Sequence, residues 1–217
     1  MTNPKPAPKT AEYITELIHR LRQAYPDAHC ELNYETPFQL LVAVILSAQC
    51  TDVRVNQVTP HLFARYPTPE AMAAAPRAEI EAIIRPTGFF RQKARYIQET
   101  AHRIIHEHGG TVPDQMKELL KLPGVARKTA NVVLGEIYNH AEGITVDTHV
   151  KRLAKRLALT DEDDPGKVEQ DLMKLIPAES WIEISHLLIF HGRRVCKARN
   201  PECAHCFLND LCPSAVV

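Results

Sequence analysis

Leu122-Pro123-Gly124-Val125-Ala126-Arg127-Lys128-Thr129-Ala130-Asn131-Val132-Val133 joins two predicted helices through a Pro-Gly turn. The first helix ends near Leu120 and the second begins near Ala126. Backbone N–H groups at such a turn and helix start point outward without intrahelical partners, and the positive end of the helix dipole adds to their attraction for an anion. A phosphate held there fixes the register of a nucleic acid and reads none of its sequence. A Pro-Gly corner alone also suits an ordinary helix–loop–helix. The Arg127-Lys128 pair adds the functional signal. Lys128 falls in the first turn, where a helix disfavours a cation. A nucleophilic, Schiff-base-forming lysine is a candidate role at such a position, and a simple phosphate contact is the other.

Outward from this segment nearly everything reads as helix, with no alternating strands bounded by turns. Thr36-Pro37, Thr68-Pro69 and Asp164-Pro165 are helix starts, a capping residue followed by proline. Gly88 precedes an amphipathic run from Phe89 to His108, which Gly109-Gly110 ends. Further helices are expected over 10–24, 52–66, 77–85, 114–121, 126–139, 148–159 and 178–192. No long internal repeat interrupts this pattern.

The 217 residues are 45% hydrophobic and 24% charged, an ordinary globular composition. Basic and acidic residues balance at 26 each, so the total charge neither supports nor excludes an anionic partner. The longest apolar run, Leu40 to Leu46, is too short to span a bilayer. The start, MTNPKPAPKT, reads as a loose tail without an export signal. A cytoplasmic protein with reduced thiols is expected. Cys196, Cys203, Cys206 and Cys212 then suggest a metal site rather than disulfides, spaced Cys-x6-Cys-x2-Cys-x5-Cys. Spacing alone leaves zinc and iron–sulfur open, because zinc sites usually supply two close pairs. Cys30 and Cys50 read as structural.

Asp147, in Val146-Asp147-Thr148-His149, precedes the helix VKRLAKRLAL. Aspartate is a favoured N-cap. The same carboxylate near a sugar C1′ can stabilise developing positive charge, as in glycoside cleavage. Three basic stretches follow the same theme: Arg85, Arg91, Lys93, Arg95; Lys151, Arg152, Lys155, Arg156; and Arg193, Arg194, Lys197, Arg199. Like charges four apart repel on a helix, so the second stretch implies an anionic partner. Together the three are expected to form a phosphate track.

The hairpin, the downstream VDTH and the cysteine spacing together resemble the endonuclease III family of helix-hairpin-helix DNA glycosylases. The resemblance runs from about residue 31, at ELNYETPFQLLVAVILSAQCTD, to Cys212. It implies an all-α fold of two helical domains with a DNA-binding cleft between them. Residues 30–141 would form a six-helix domain with the hairpin; 1–29 and 142–217 would form the iron–sulfur domain. It implies a bifunctional glycosylase and abasic-site lyase for oxidised pyrimidines, acting as a monomer on damaged or abasic double-stranded DNA. Lys128 would be the nucleophile and Asp147 the catalytic carboxylate. Gly124, Val125, Ala126 and Arg127 would bind the DNA backbone, and Gln49 would fill the hole left by the extruded base. Phe89 would be the apolar wedge, His149 would lie near the site, and the four cysteines would hold a [4Fe–4S] cluster. Extrusion is needed because C1′ chemistry cannot proceed inside the stacked duplex.

Two positions depart from that pattern. Ala126 replaces the hairpin's usual second glycine, which predicts backbone strain or a methyl crowding the phosphate. Phe89 is bulkier than the usual leucine. An adenine-specific mismatch glycosylase is disfavoured, because residues 37–48 contain no carboxylate. A non-catalytic DNA-binding module would share the hairpin and cysteines but have no use for Lys128 with Asp147.

Overall fold

The computed structural model describes residues 7–216, and among them every regular element is helical. Residues 1–6 of the expected N-terminal tail lie outside this range. The chain divides into two compact units: one takes residues up to Cys30 and from Ala141 onward, the other Glu31–His140.

The Glu31–His140 unit is built around α2 (Pro37–Leu46), whose residues from Phe38 to Leu46 are all buried. A helix apolar on every side must lie inside a core. Thr36 caps it by accepting the Gln39 N–H, and Pro37 occupies the first turn. Around it come α3 (Asp52–Arg65), α4 (Pro69–Ala74), α5 (Arg77–Ile84), α6 (Phe90–His108), the single turn α7 (Met116–Leu119) and α8 (Arg127–Tyr138). α4 and α5 pack on α6, and α8 packs on α2. α6 buries Ala94, Ile97, Ala101 and Ile104 at helical spacing.

The other unit holds α1 (Ala11–Ala24), α9 (Thr148–Arg156), α10 (Pro165–Leu175) and α11 (Trp181–Arg194). Tyr13, Leu17, Leu21, Val150, Leu153, Leu172 and Leu188 share its core. The Tyr13 hydroxyl donates to the Leu157 carbonyl at 3.0 Å, tying α1 to the end of α9. α9 stops at Arg156, short of the expected 159: Ala158 is left-handed, and the Leu159 N–H turns back to the Ala154 carbonyl. The cysteine-bearing loop is itself anchored, since Leu208 and Leu211 enter the same core. Burying each stabilises the loop by roughly 1.5–3 kcal/mol.

Candidate nucleic-acid site and cysteine cluster

In the hairpin, the Val125 N–H donates to the Leu122 carbonyl at 3.1 Å. With Pro123 second and Gly124 third at φ +78°, this is the signature of a type II turn. Gly124 is required twice over. An L-residue disfavours that φ, and an added Cβ would lie 2.8 Å from Cδ2 of Tyr96. α6 steadies the turn: Thr100 Oγ1 donates to the Pro123 carbonyl at 3.0 Å, and Arg103 Nη1 to the Lys121 carbonyl at 3.0 Å. Leu122 and Val125 are buried beneath it.

Ala126 is the N-cap of α8 at φ −94°, ψ 172°, an extended conformation open to any residue. The strain foreseen for a left-handed Ala126 is therefore absent. Alanine supplies no side-chain cap, so no side chain of the cap residue competes for the first amides of α8. Arg127 and Lys128 follow in that turn, both exposed. Ala126→Ser tests this arrangement. A serine N-cap should stabilise the protein by about 1 kcal/mol in urea unfolding. Its hydroxyl would occupy one of the amides expected to receive a phosphate, so affinity for abasic duplex at fixed salt should fall. Tighter DNA binding by the serine variant would remove phosphate capture from these amides.

Gln49 and Phe89 lie on two turns of the same unit, and both are left-handed, at φ 52° and 46°. Non-glycine residues keep that conformation where the surroundings enforce it, often at binding sites. Gln49 is exposed, and Phe89 is 67% exposed although it is a large aromatic residue.

Asp147 is the N-cap of α9, and its Oδ1 accepts the Val150 N–H at 2.8 Å. The approach to it is rigid. Ile144 and Val146 are buried, and the Thr145 N–H donates to Ser185 Oγ at 3.0 Å. His149 sits one residue into α9 with its Nδ1 3.2 Å from Arg152 Nη2. α11 can approach this point because Gly192 has no side chain: a Cβ there would lie 2.9 Å from His149 Nδ1.

Cys196, Cys203, Cys206 and Cys212 line one cavity with His191, Arg156, Leu153 and Leu157. All four are free thiols of intermediate exposure. Arg156 Nη1 donates to Cys196 Sγ at 3.2 Å, and the Leu208 N–H to Cys206 Sγ at 3.4 Å. His191 Nε2 is 3.6 Å from Cys206 Sγ, while its Nδ1 meets the Tyr25 hydroxyl at 2.9 Å. Burial holds His191 down to about 4, a neutral ring at physiological pH. Burial also pushes the Cys206 and Cys212 thiols up. Soft sulfur donors with N–H groups directed at them fit an iron–sulfur cluster, whose cationic irons hold such thiols as thiolates.

The basic stretches do not form the single phosphate track expected of them. Lys93 is buried. Arg152 Nη2 donates to the Gly192 and Cys196 carbonyls, and Arg156 to those of Lys197 and Ala198. Lys155 pairs with Asp163, Arg194 with Asp27, and Lys197 with Glu202. Arg152 and Arg156 lie one turn apart because both bind the cysteine loop to α9. Arg85, Arg91 and Arg95 remain exposed, in the same unit as Arg127 and Lys128.

This chain belongs to the HhH-GPD superfamily of base excision DNA repair proteins, whose family model matches residues 42–178. A second model, the iron-sulfur binding domain of endonuclease III, matches residues 196–212, the span of the four cysteines. Within the superfamily its similar curated relatives include endonucleases III. Endonuclease III of Synechocystis sp. is 58% identical over 93% of this chain and 92% of its own length. A solved non-covalent endonuclease III–DNA complex matches with a TM-score of 0.90 and 46% identity, covering 95% of this chain and 96% of that one. A trapped endonuclease III–DNA covalent intermediate matches with the same score and identity, covering 95% and 97%. No helix among the described residues is long and apolar enough to cross a membrane.

Proposed function

We propose that the protein is a bifunctional DNA glycosylase and abasic-site lyase of base excision repair, acting on oxidised pyrimidines in duplex DNA. The observation that carries this is Lys128, exposed in the first turn of α8, directly after a type II turn and a helix start without a side-chain cap. The relatives include an endonuclease III caught covalently joined to DNA, which is the state an attacking amine produces.

The amides after Gly124 hold a backbone phosphate, and Gln49 and Phe89 enter the duplex around an extruded nucleotide. The Lys128 amine adds to C1′ and the base departs with the glycosidic electron pair, taking up a proton. Asp147 stabilises the positive charge that develops on the sugar. The nitrogen loses its proton and the ring opens to an imine. Loss of a C2′ proton then expels the 3′ phosphate by β-elimination. His149 stands beside Asp147, where it can contact the same nucleotide. We place the protein in the cytoplasm as a monomer, associated with the nucleoid in a bacterium.

Cys196, Cys203, Cys206 and Cys212 would hold the cluster, as a [4Fe–4S] group, and the group would supply a covalent anchor for the C-terminal loop. Purified protein is expected to be brown and to carry about four irons per chain. Anaerobically prepared protein containing one zinc and no iron would overturn the assignment. The activity itself is tested by borohydride trapping on duplexes with an oxidised pyrimidine: a covalent adduct is expected, and its absence on a verified lesion would sink the lyase reading.

A further inference from the structure

Lys93 is 4% exposed, yet it carries an ammonium in the first turn of α6, three residues after Phe90. Its Nζ donates to the Leu46 carbonyl at 2.8 Å and to the Thr87 carbonyl at 2.8 Å. Leu46 ends α2, where the helix dipole favours a cation, and lies three residues before Gln49. Thr87 ends a 3-10 turn and lies two residues before Phe89. One nitrogen therefore joins the roots of two turns that are far apart in sequence. Each turn carries an exposed residue at positive φ. The Lys93 N–H also donates to the Phe89 carbonyl at 3.0 Å, so the same residue fixes the Phe89 backbone directly. Burial pulls the Lys93 pKa down from its usual range, and the two carbonyl acceptors offset part of the cost of burying the ammonium. A hydrophobic side chain would pack at this position without that cost. A buried cation is costly when either partner is lost, so the two carbonyls and the ammonium constrain one another's placement.

We propose that Lys93 is a positioning residue: it locks the Gln49 turn and the Phe89 turn into one rigid two-pronged element that holds the duplex open around the extruded nucleotide. The inference rests on the reading of Gln49 and Phe89 as the inserted residues. Without the ammonium the Leu46 and Thr87 carbonyls lose their common donor, and the two prongs lose their fixed spacing. Small displacements of positioning groups reduce turnover steeply while leaving overall binding intact.

The test uses a duplex with a tetrahydrofuran abasic analogue and 2-aminopurine opposite it, whose fluorescence rises when a side chain displaces the orphan base. Lys93→Met is expected to bind this duplex within about threefold of wild type, because the phosphate contacts lie elsewhere. It should show a diminished fluorescence rise, and excision of an oxidised pyrimidine should fall by on the order of 10²-fold. Lys93→Arg, which keeps N–H donors for both carbonyls, should recover much of the signal. If Lys93→Met does not fold, Lys93→Leu is read in its place, since it too supplies no N–H to either carbonyl. A folded Met or Leu variant with wild-type fluorescence and excision would overturn the proposal. Gln49→Ala and Phe89→Ala run alongside: if both leave the fluorescence unchanged, the insertion reading fails and takes this inference with it. If they lower it and the Lys93 variants do not, only the role of Lys93 fails.

Discussion

Lys128→Gln is expected to eliminate the borohydride-trapped adduct while leaving a folded protein that still binds DNA. Trapping requires a C=N bond, which borohydride reduces to a stable secondary amine, and a glutamine amide does not form one. Lyase activity should fall by on the order of 10⁴- to 10⁶-fold, the upper figure being the size of effect seen when a covalent nucleophile is removed. Folding should be little affected, because the side chain is exposed on the first turn of α8. The turn at Gly124 and the amides after Ala126 are untouched, so affinity for undamaged duplex should weaken only modestly. One lost cation lowers the dependence of affinity on salt by at most about one unit of log–log slope. If the glutamine variant traps as efficiently as wild type, another amine is the nucleophile, and Lys128 is only a phosphate contact.

The helix starts were legible because capping is local chemistry. Thr36, Thr68, Asp147 and Asp164 each accept an N–H three residues on, as their side chains and neighbours predict. The hairpin was legible for the same reason, since proline and glycine at adjacent positions leave few turns to choose from. Ala126 shows where the pattern stops. The family glycine left both a left-handed and an extended backbone open, and the fold places Ala126 in the extended one at φ −94°. The cations were the least legible. Lys93 stands between Arg91 and Arg95, and the sequence gives it no mark of difference. Its burial follows from carbonyls at Leu46 and Thr87, which other elements bring to it. The repulsion between Lys151 and Lys155 and between Arg152 and Arg156 pointed to an anionic partner. The partners of Arg152 and Arg156 are instead carbonyls of the cysteine loop, some forty residues on. A carbonyl is available at every residue, so sequence cannot say which ones a guanidinium will meet.

Asp147→Asn separates a structural role from a chemical one, because the two substitutes differ in charge and hardly in capping. Asparagine keeps an Oδ1 for the Val150 N–H, which Asp147 now receives at 2.8 Å. The two residues are N-caps of similar quality. Loss of an anion at the start of α9 should cost about 0.3–1 kcal/mol, a small shift in urea unfolding. Base removal depends on the charge itself. A neutral amide cannot stabilise the cationic sugar, and the single-turnover excision rate should fall by on the order of 10²–10³-fold. Cleavage at a preformed abasic site should fall less, since no glycosidic bond remains to be broken there. The ratio of the two activities is thus the discriminating measurement. A general loss of fold would lower both together, whereas loss of the carboxylate lowers excision selectively. An asparagine variant that excises at near wild-type rate would leave Asp147 as the N-cap of α9 and nothing more. The carboxylate for the chemistry would then have to be sought elsewhere.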